Sequence, residues 1–258
     1  MVAERAFLDV IERHLGRVWH LCSRMTLRGN EAEAACLETC QRAWVGRSGA
    51  PERDDERGLW LLRIAAHVLG ARLPQAPEVD FDLLDETLRS EATRTEEVAS
   101  LTDPQRELLL WEMKQGCMTA VVNCLSPGER VAFVMSAVMG LSDDEAARAL
   151  DIKGSALKVR LSRARKKVSD YLAPRCEHID PRNPCHCPSR IGIALRKGFI
   201  APPARAEVRL RGALPPFDEA PRLNDAVAIY RTLPEPEPPG SLRRRIDAAV
   251  SSGAWGRA

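Results

Sequence analysis

LSPGERVAFVMSAVMGLSDDEAARALDIKGSALKVRLSRARKKV (Leu125–Val168) predicts two short helices joined by a tight turn. Gly140 ends one apolar helix, and Ser142 begins the next as a capping-box residue with Glu145 three positions later. Residues 151–154 form the predicted turn, and the second helix of the pair begins directly after it.

This second helix has one apolar face and one cationic face. Between positions 153 and 175 the chain holds eight Lys or Arg residues against a single acid, Asp170. A helix that is merely solvated usually mixes both signs of charge, whereas DNA phosphates favour one sign through counterion release. The pattern therefore favours a DNA-binding helix-turn-helix over a solvated helix pair. The inward residues recur at helical spacing: Leu157, Leu161, Ala164 and Val168.

Composition limits the class of protein. The chain has 258 residues, a net charge of +2, 45% apolar and 5% aromatic residues, which suits small helical domains. No apolar run is long enough to span a membrane, and the first residues lack a signal-peptide core. Eight cysteines without a secretion signal indicate a reducing compartment, so we expect a cytoplasmic protein.

Three helices are predicted before position 73. Apolar residues at three- and four-residue steps place them at about 4–27, 31–46 and 58–73, with a loop over 46–58. Three cysteines lie on apolar faces of the first two helices and are interpreted as core residues: Cys22, Cys36 and Cys40.

Three segments resemble, in matching order, motifs of the extracytoplasmic-function (ECF) sigma factors of bacterial RNA polymerase. They are EAEAACLETCQRAW (Glu31–Trp44), WLLRIAAHVL (Trp60–Leu69) and GLSDDEAARALDIKGSALKVRLSRAR (Gly140–Arg165). The resemblance covers about residues 5–73 and 115–172. It implies an all-α fold with two small helical domains: a sigma-2-like bundle (1–73) for core polymerase and the −10 element, and a sigma-4-like helix-turn-helix domain (115–173) for the −35 element.

The resemblance also implies roles for residues of the first domain. Those expected to bind core polymerase are Glu31, Glu33, Glu38 and Arg42. Those expected near the melted −10 strand are Arg63, His67 and Arg72. Ala34 and Leu37 replace the Asp and Gln usual in the family, which predicts weaker or rearranged polymerase contacts. For Trp60 a core position is favoured over base stacking.

In the second domain the resemblance assigns the base-facing positions to Lys158, Ser162 and Arg163. Phosphate contacts suit four other polar residues of the same helix: Ser155, Arg160, Arg165 and Lys166. Lys153 stands where the family usually has a Ser N-cap, which costs capping energy but adds a cation.

The two domains are joined by an acidic linker, residues 74–114. Positions 75–112 hold eleven acids against three Arg, and DFDLLDETL and PQRELLLWEM predict short helices within them. A solvated linker is the simpler interpretation. The resemblance suggests a second one, in which the linker passes through polymerase channels that otherwise carry nucleic acid.

A Cys/His-rich loop follows the helix-turn-helix at 174–200. Three interpretations stay open for its thiols: a zinc or other thiophilic metal site, a thiol switch, or inert buried cysteines. No cofactor is otherwise expected. The candidate metal ligands, two of them upstream of the helix-turn-helix, are Cys117, Cys124, Cys176, His178, Cys185 and Cys187.

The Pro-rich C-terminal extension, 201–258, holds nine of the eighteen prolines. SLRRRIDAAVSS predicts a short amphipathic helix with Leu242, Ile246 and Val250 on one side. The extension either docks on the chain or a partner and regulates it, or stays disordered.

These observations predict a non-catalytic subunit that binds RNA polymerase core and promoter DNA, with an anti-sigma factor or self-inhibition by the extension as its regulator. The alternative is a stand-alone helix-turn-helix regulator that never joins polymerase. An enzyme is disfavoured because no Ser/His/Asp set, carboxylate pair or phosphate-binding Gly loop is recognisable.

Overall fold

The computed structural model describes residues 2–74, 77, 79–90, 103–196, 200, 216–217 and 225–256. Within these ranges the regular structure consists of α-helices and short 3₁₀ or π turns, without a strand, which confirms the all-α prediction. None of the described helices combines the length and hydropathy that crossing a membrane requires.

The first three helices form one bundle: α1 (Val2–Met25), α2 (Gly29–Val45) and α3 (Asp54–Arg72). The prediction of a loop over 46–58 is wrong for residues 54–58, which are helical because α3 begins at Asp54. Three acids occupy the first turn of α3, where the helix dipole favours negative charge. The cysteines of α1 and α2 are buried, which confirms their core assignment.

Two helices occupy the predicted acidic linker: α4 (Phe81–Ser90) and α5 (Asp103–Asn123). Both linker segments expected to be helical are helical. The predicted boundary at 114/115 lies inside α5, so one continuous helix runs from the linker into the second domain.

The helix-turn-helix is built by α6 (Pro127–Phe133), a π-helical turn, α7 (Asp143–Leu150) and α8 (Gly154–Leu172). The predicted capping box is present: the Ser142 amide donates to Glu145 Oε2 at 2.9 Å, and the Glu145 amide donates to Ser142 Oγ at 3.3 Å. Asp151 ends α7 in the left-handed conformation, with φ of 54°, which makes the turn tight.

α8 presents the predicted buried stripe, and its N-cap residue Lys153 forms no side-chain capping hydrogen bond. The residues of this stripe are Leu157, Leu161, Ala164 and Val168. The sequence-based assignment of the two faces of α8 is therefore confirmed.

The two domains pack directly on each other, and α3 lies against α7. Ion pairs at this contact join Arg63 to Asp151 and Arg148 to Glu56, at 2.5 and 3.5 Å. Beside it, the buried guanidinium of Arg130 in α6 donates to the Met25 carbonyl at 3.2 Å. Backbone carbonyls, rather than a carboxylate, accept most of its bonds.

The C-terminal part of the chain adds α9 (Ile191–Arg196), α10 (Ala228–Arg231) and α11 (Gly240–Ser251). α11 packs against α2 and buries Leu242 and Ile246, two of the three residues predicted for its apolar side. The sequence left open whether the extension docks on the chain or stays disordered. Residues 225–256 are docked on the chain. Most of the stretch 201–224 lies outside the described residues.

Stability of the bundle is expected to depend on pH through His20 of α1. Burial lowers the pKa of His20 to about 3, and the charge of Arg24 adds to this effect. Near pH 6.5 the His20 side chain binds a proton in the unfolded chain but stays neutral in the folded chain. Acidification from pH 7 to 5 should therefore remove about 2 kcal/mol of unfolding free energy through this residue. Urea unfolding of wild type and His20→Gln at both pH values measures this loss.

Glu112 of α5 acts in the opposite direction, because burial raises its pKa to about 7. Protonation of this carboxyl stabilises the folded chain over the same pH range and masks the His20 effect in the wild type. The difference between wild type and His20→Gln isolates the histidine. An identical pH dependence of the two proteins would contradict the assignment.

Candidate nucleic-acid interface and cysteine cluster

The outward face of α8 carries the residues expected to bind DNA. All of them are exposed except Arg160, which is half-buried. A Cβ placed on Gly128 would lie 3.5 Å from the Arg160 guanidinium, so this side chain lies along the start of α6. The exposed members of the set are Ser155, Lys158, Ser162, Arg163, Arg165 and Lys166.

The cations of this face differ in their partners. Lys166 pairs with Asp170 at 2.8 Å, and Lys167 pairs with the buried Glu129 at 2.8 Å. Among the described residues, no carboxylate pairs with the other cations of the exposed face, namely Lys158, Arg163 and Arg165. These three keep their charge available for an external anion, as DNA binding requires.

The first-domain residues expected near DNA have intramolecular partners. Arg63 pairs with Asp151, and Arg72 pairs with Glu38 at 2.6 Å. His67 is exposed, and its Nδ1 lies 2.8 Å from the Arg63 carbonyl oxygen. Trp60 is half-buried with its ring edge-on to Phe7 at 6.3 Å, as expected of a core residue.

The polymerase-binding candidates lie on the solvent side of α2, here called the α2 face, with Glu31, Glu38 and Arg42 along one edge and Glu33 at the opposite edge. Glu38 pairs with both Arg42 and Arg72 at 2.6 Å. Burial raises the pKa of Glu38, but the hydrogen bonds and charges of these two guanidinium groups outweigh it, so the pKa lies below its ordinary value. Ala34 and Leu37, the departures from the family pattern, line a shallow groove beside this pair.

The C-terminal helix α11 covers part of the α2 face. Arg245 of α11 lies 3.4 Å from Glu33. Beyond α11, the Gly256 carbonyl accepts a hydrogen bond from the Trp44 indole at 3.1 Å. Glu31 pairs with Arg28 rather than with α11.

The Cys/His-rich loop folds back on itself after α8. Cys176 and Cys185 form an isolated parallel β-bridge, in which the Glu177 amide donates to the Cys185 carbonyl at 3.1 Å. The Asn183 side chain donates to the Ala173 and Cys176 carbonyls at 2.7 and 3.0 Å. The loop thereby brings residues 176–178 beside residues 185–187.

Three side chains of this loop bring their ligand atoms within 4.8 Å of one another: Glu177, His178 and Cys187. The Cys187 sulfur lies 3.5 Å from His178 Nε2. Glu177 holds the group together, since it accepts from the Cys187 amide at 2.5 Å and lies 2.8 Å from His186 Nδ1. Sequence reasoning omitted Glu177, although its place beside a Cys and a His was a usable signal.

The other predicted ligands are not members of this close group. Cys117 borders the same apolar cluster as Cys187, and burial raises the pKa of the Cys117 thiol. Burial likewise raises the pKa of Cys176, the bridge residue, to about 11. Cys124 lies about 10 Å beyond Cys117, just past the end of α5, and its thiol donates to the Ala120 carbonyl at 3.4 Å.

Comparison with known proteins gives a match in the second domain. Residues 115–168 match the family model described as Sigma-70, region 4, and this range runs from within α5 into α8. In this range the chain is similar to sigma-70 region 4. Its helix-turn-helix is thus a transcription-related, DNA-binding module.

A sigma factor is similar to this chain over a longer stretch than the region 4 match. The ECF RNA polymerase sigma factor SigE of Mycolicibacterium smegmatis is 25% identical over 166 residues, which cover 64% of this chain and 61% of that relative. The chain thus matches less than two thirds of its relative's length. Together with the region 4 match, this relative confirms the resemblance to ECF sigma factors.

Among solved structures, the chain is similar to the sigma factor RpoE in its complex with the anti-sigma factor NepR from Bartonella quintana. The TM-score is 0.44 at 15% identity, covering 65% of this chain and 97% of that chain.

Proposed function

We propose that this chain is a promoter-specificity subunit of bacterial RNA polymerase of the ECF type. The carrying observation is the region 4 domain, whose α8 presents Lys158, Arg163 and Arg165 outward without carboxylate partners among the described residues. In this role α8 reads the −35 element, and the first domain binds core polymerase and the −10 strand. The chain itself performs no catalysis.

In this structure the two domains are packed against each other, an arrangement called here the closed state. Arg63 and Asp151 join the surface assigned to the −10 strand to the turn of the helix-turn-helix. Both residues are about half exposed, so the pair contributes little stability on its own. Engagement of two separate promoter elements requires the domains to part, and breaking this contact releases Arg63 for DNA.

Self-inhibition by the extension accompanies the closed state. α11 and Gly256 contact Glu33 and Trp44 of α2, so core polymerase and the extension compete for one surface. A separate anti-sigma factor on the α2 face is the alternative regulator. The Cys/His-rich loop adds a second level of control, by a thiophilic metal or by thiol chemistry, because it follows α8 directly.

In-vitro transcription tests this function. The purified chain is mixed with core polymerase and a genomic promoter library, with zinc and then with chelator. Initiation from a defined promoter set only when the chain is present is the expected result. DNA binding without initiation would instead support the stand-alone helix-turn-helix regulator. Ala34 and Leu37 favour that alternative, because they replace residues that the family uses at the surface expected to bind polymerase.

A further inference from the structure

We propose that Cys117, Glu177, His178 and Cys187 bind one thiophilic divalent cation of the zinc class. The last three already hold their ligand atoms within 4.8 Å of one another. They supply one sulfur, one imidazole nitrogen and one carboxylate oxygen, all donor types that zinc accepts in tetrahedral sites.

Cys117 lies outside this close group of three, and its place on α5 makes it the fourth ligand. Cys117 and Cys187 both pack against the apolar cluster formed around Trp111 and Phe217, although they come from segments seventy residues apart in sequence. Cys124 is excluded by its position about two turns beyond Cys117, just past the end of the helix. The donor set is thus split between α5 and the loop.

Contacts within the loop fix the positions of its donor residues. The β-bridge at Cys176 and Cys185 fixes the spacing of its two segments, and Asn183 ties its turn to the end of α8. Glu177 also accepts a hydrogen bond from the backbone amide of Cys187, so two of the proposed ligands are joined directly. Hydrogen bonds of this kind orient the ligands of a metal site.

A buried cation supplies the charge balance. Lys114 lies one helical turn before Cys117, is 1% exposed, and has its Nζ 5.7 Å from the Phe217 ring centroid. The His178 ring packs edge-to-face with the same Phe217 ring, with 5.3 Å between the ring centroids. A divalent ion with two thiolates and one carboxylate carries a net charge of −1, which the Lys114 ammonium neutralises. The ammonium also donates to Thr232 Oγ1 at 3.5 Å and lies 4.9 Å from the Trp111 ring centroid, and a charge of opposite sign would further offset the cost of its burial.

Two sulfurs and one imidazole select the class of metal. Soft sulfur ligands favour zinc and its neighbours over magnesium or calcium, which prefer all-oxygen sites. Because the ligands come from α5 and the loop, the ion would join region 4 to the loop and, through His178, to Phe217 of the extension. Any effect of the ion on transcription rests on the proposed function, whereas its binding does not.

Cobalt titration of the reduced full-length chain tests the site without polymerase or DNA. The expected result is one Co²⁺ per chain, with tetrahedral visible absorption and sulfur-to-cobalt charge transfer of two thiolates, displaced by Zn²⁺. Cys187→Ser, His178→Ala and Cys117→Ser should each weaken binding by about 100-fold or more, since direct ligands exceed outer-shell effects. Cys124→Ser, the matched control just past the end of α5, should bind as wild type.

Glu177→Gln provides a variant that keeps an acceptor for the Cys187 amide and preserves the fold of the loop. It should retain the charge-transfer bands and weaken the affinity. Circular dichroism verifies the helix content of each variant. Absence of Co²⁺ binding in the wild type would overturn the proposal, as would undiminished binding in Cys187→Ser and His178→Ala, which would place the ion elsewhere, for example at Cys22, Cys36 and Cys40.

Discussion

The double variant Lys158→Ala, Arg163→Ala is expected to lower the affinity of holoenzyme for promoter DNA by about 2–6 kcal/mol, because a good base contact contributes about 1–3 kcal/mol. Both side chains are exposed on α8 and have no carboxylate partner among the described residues, so their removal leaves the folded chain intact. Fluorescence anisotropy with a promoter fragment, at one fixed salt concentration, measures the loss.

Arg182→Ala is the matched control. This exposed arginine lies outside α8, in the loop that follows it, and is paired with Asp180 at 2.6 Å. Its removal should leave promoter affinity and its salt dependence unchanged. Unaltered binding by the α8 double variant would remove α8 from promoter recognition, whatever the family relationship.

The local parts of the fold are predictable from sequence because short-range chemistry determines them. The capping box of Ser142 and Glu145 and the apolar stripe of α8 each depend on residues within a few helical turns. The early start of α3 was missed because its acids at 54–56 resemble a charged loop when read without the dipole rule.

The closed packing of the two domains was not predictable by the same reasoning. The Arg63–Asp151 pair joins residues 88 positions apart, and no periodicity marks either of them. Arg130 was equally unmarked, since its partners are mainly backbone carbonyls, which every residue carries. Such contacts depend on the tertiary arrangement rather than on a pattern.

The cysteine cluster could be predicted only in part. The spacing of the loop cysteines predicted a gathering of donors after α8, and the structure brings Cys187 and His178 together. Glu177 and Lys114 were missed because a carboxylate and an ammonium are ordinarily solvent-exposed residues. Their role follows only from the fold, which buries Lys114 and turns Glu177 toward the Cys187 amide.

The extension contacts several of these elements. Tyr230 of α10 is buried against Phe133 at 5.0 Å and donates to the Met118 carbonyl of α5. Arg24 of α1 donates to Gln115 of α5 and to the Pro234 carbonyl at 3.0 and 3.1 Å. One segment, residues 230–256, thus contacts the first domain, α5 and the α2 face, so its release loosens both domains at once.

Ile246→Asp is therefore expected to raise the affinity of the chain for core polymerase by about 5- to 150-fold, the range that conformational coupling commonly provides. Ile246 is 1% exposed in the contact of α11 with α2, and a carboxylate there opposes docking. Ala248→Asp places the same charge on the exposed side of α11 and should leave affinity unchanged. Equal affinity of the two variants for core, measured by surface plasmon resonance, would contradict competition between α11 and polymerase, because Ile246 is buried whereas Ala248 is exposed.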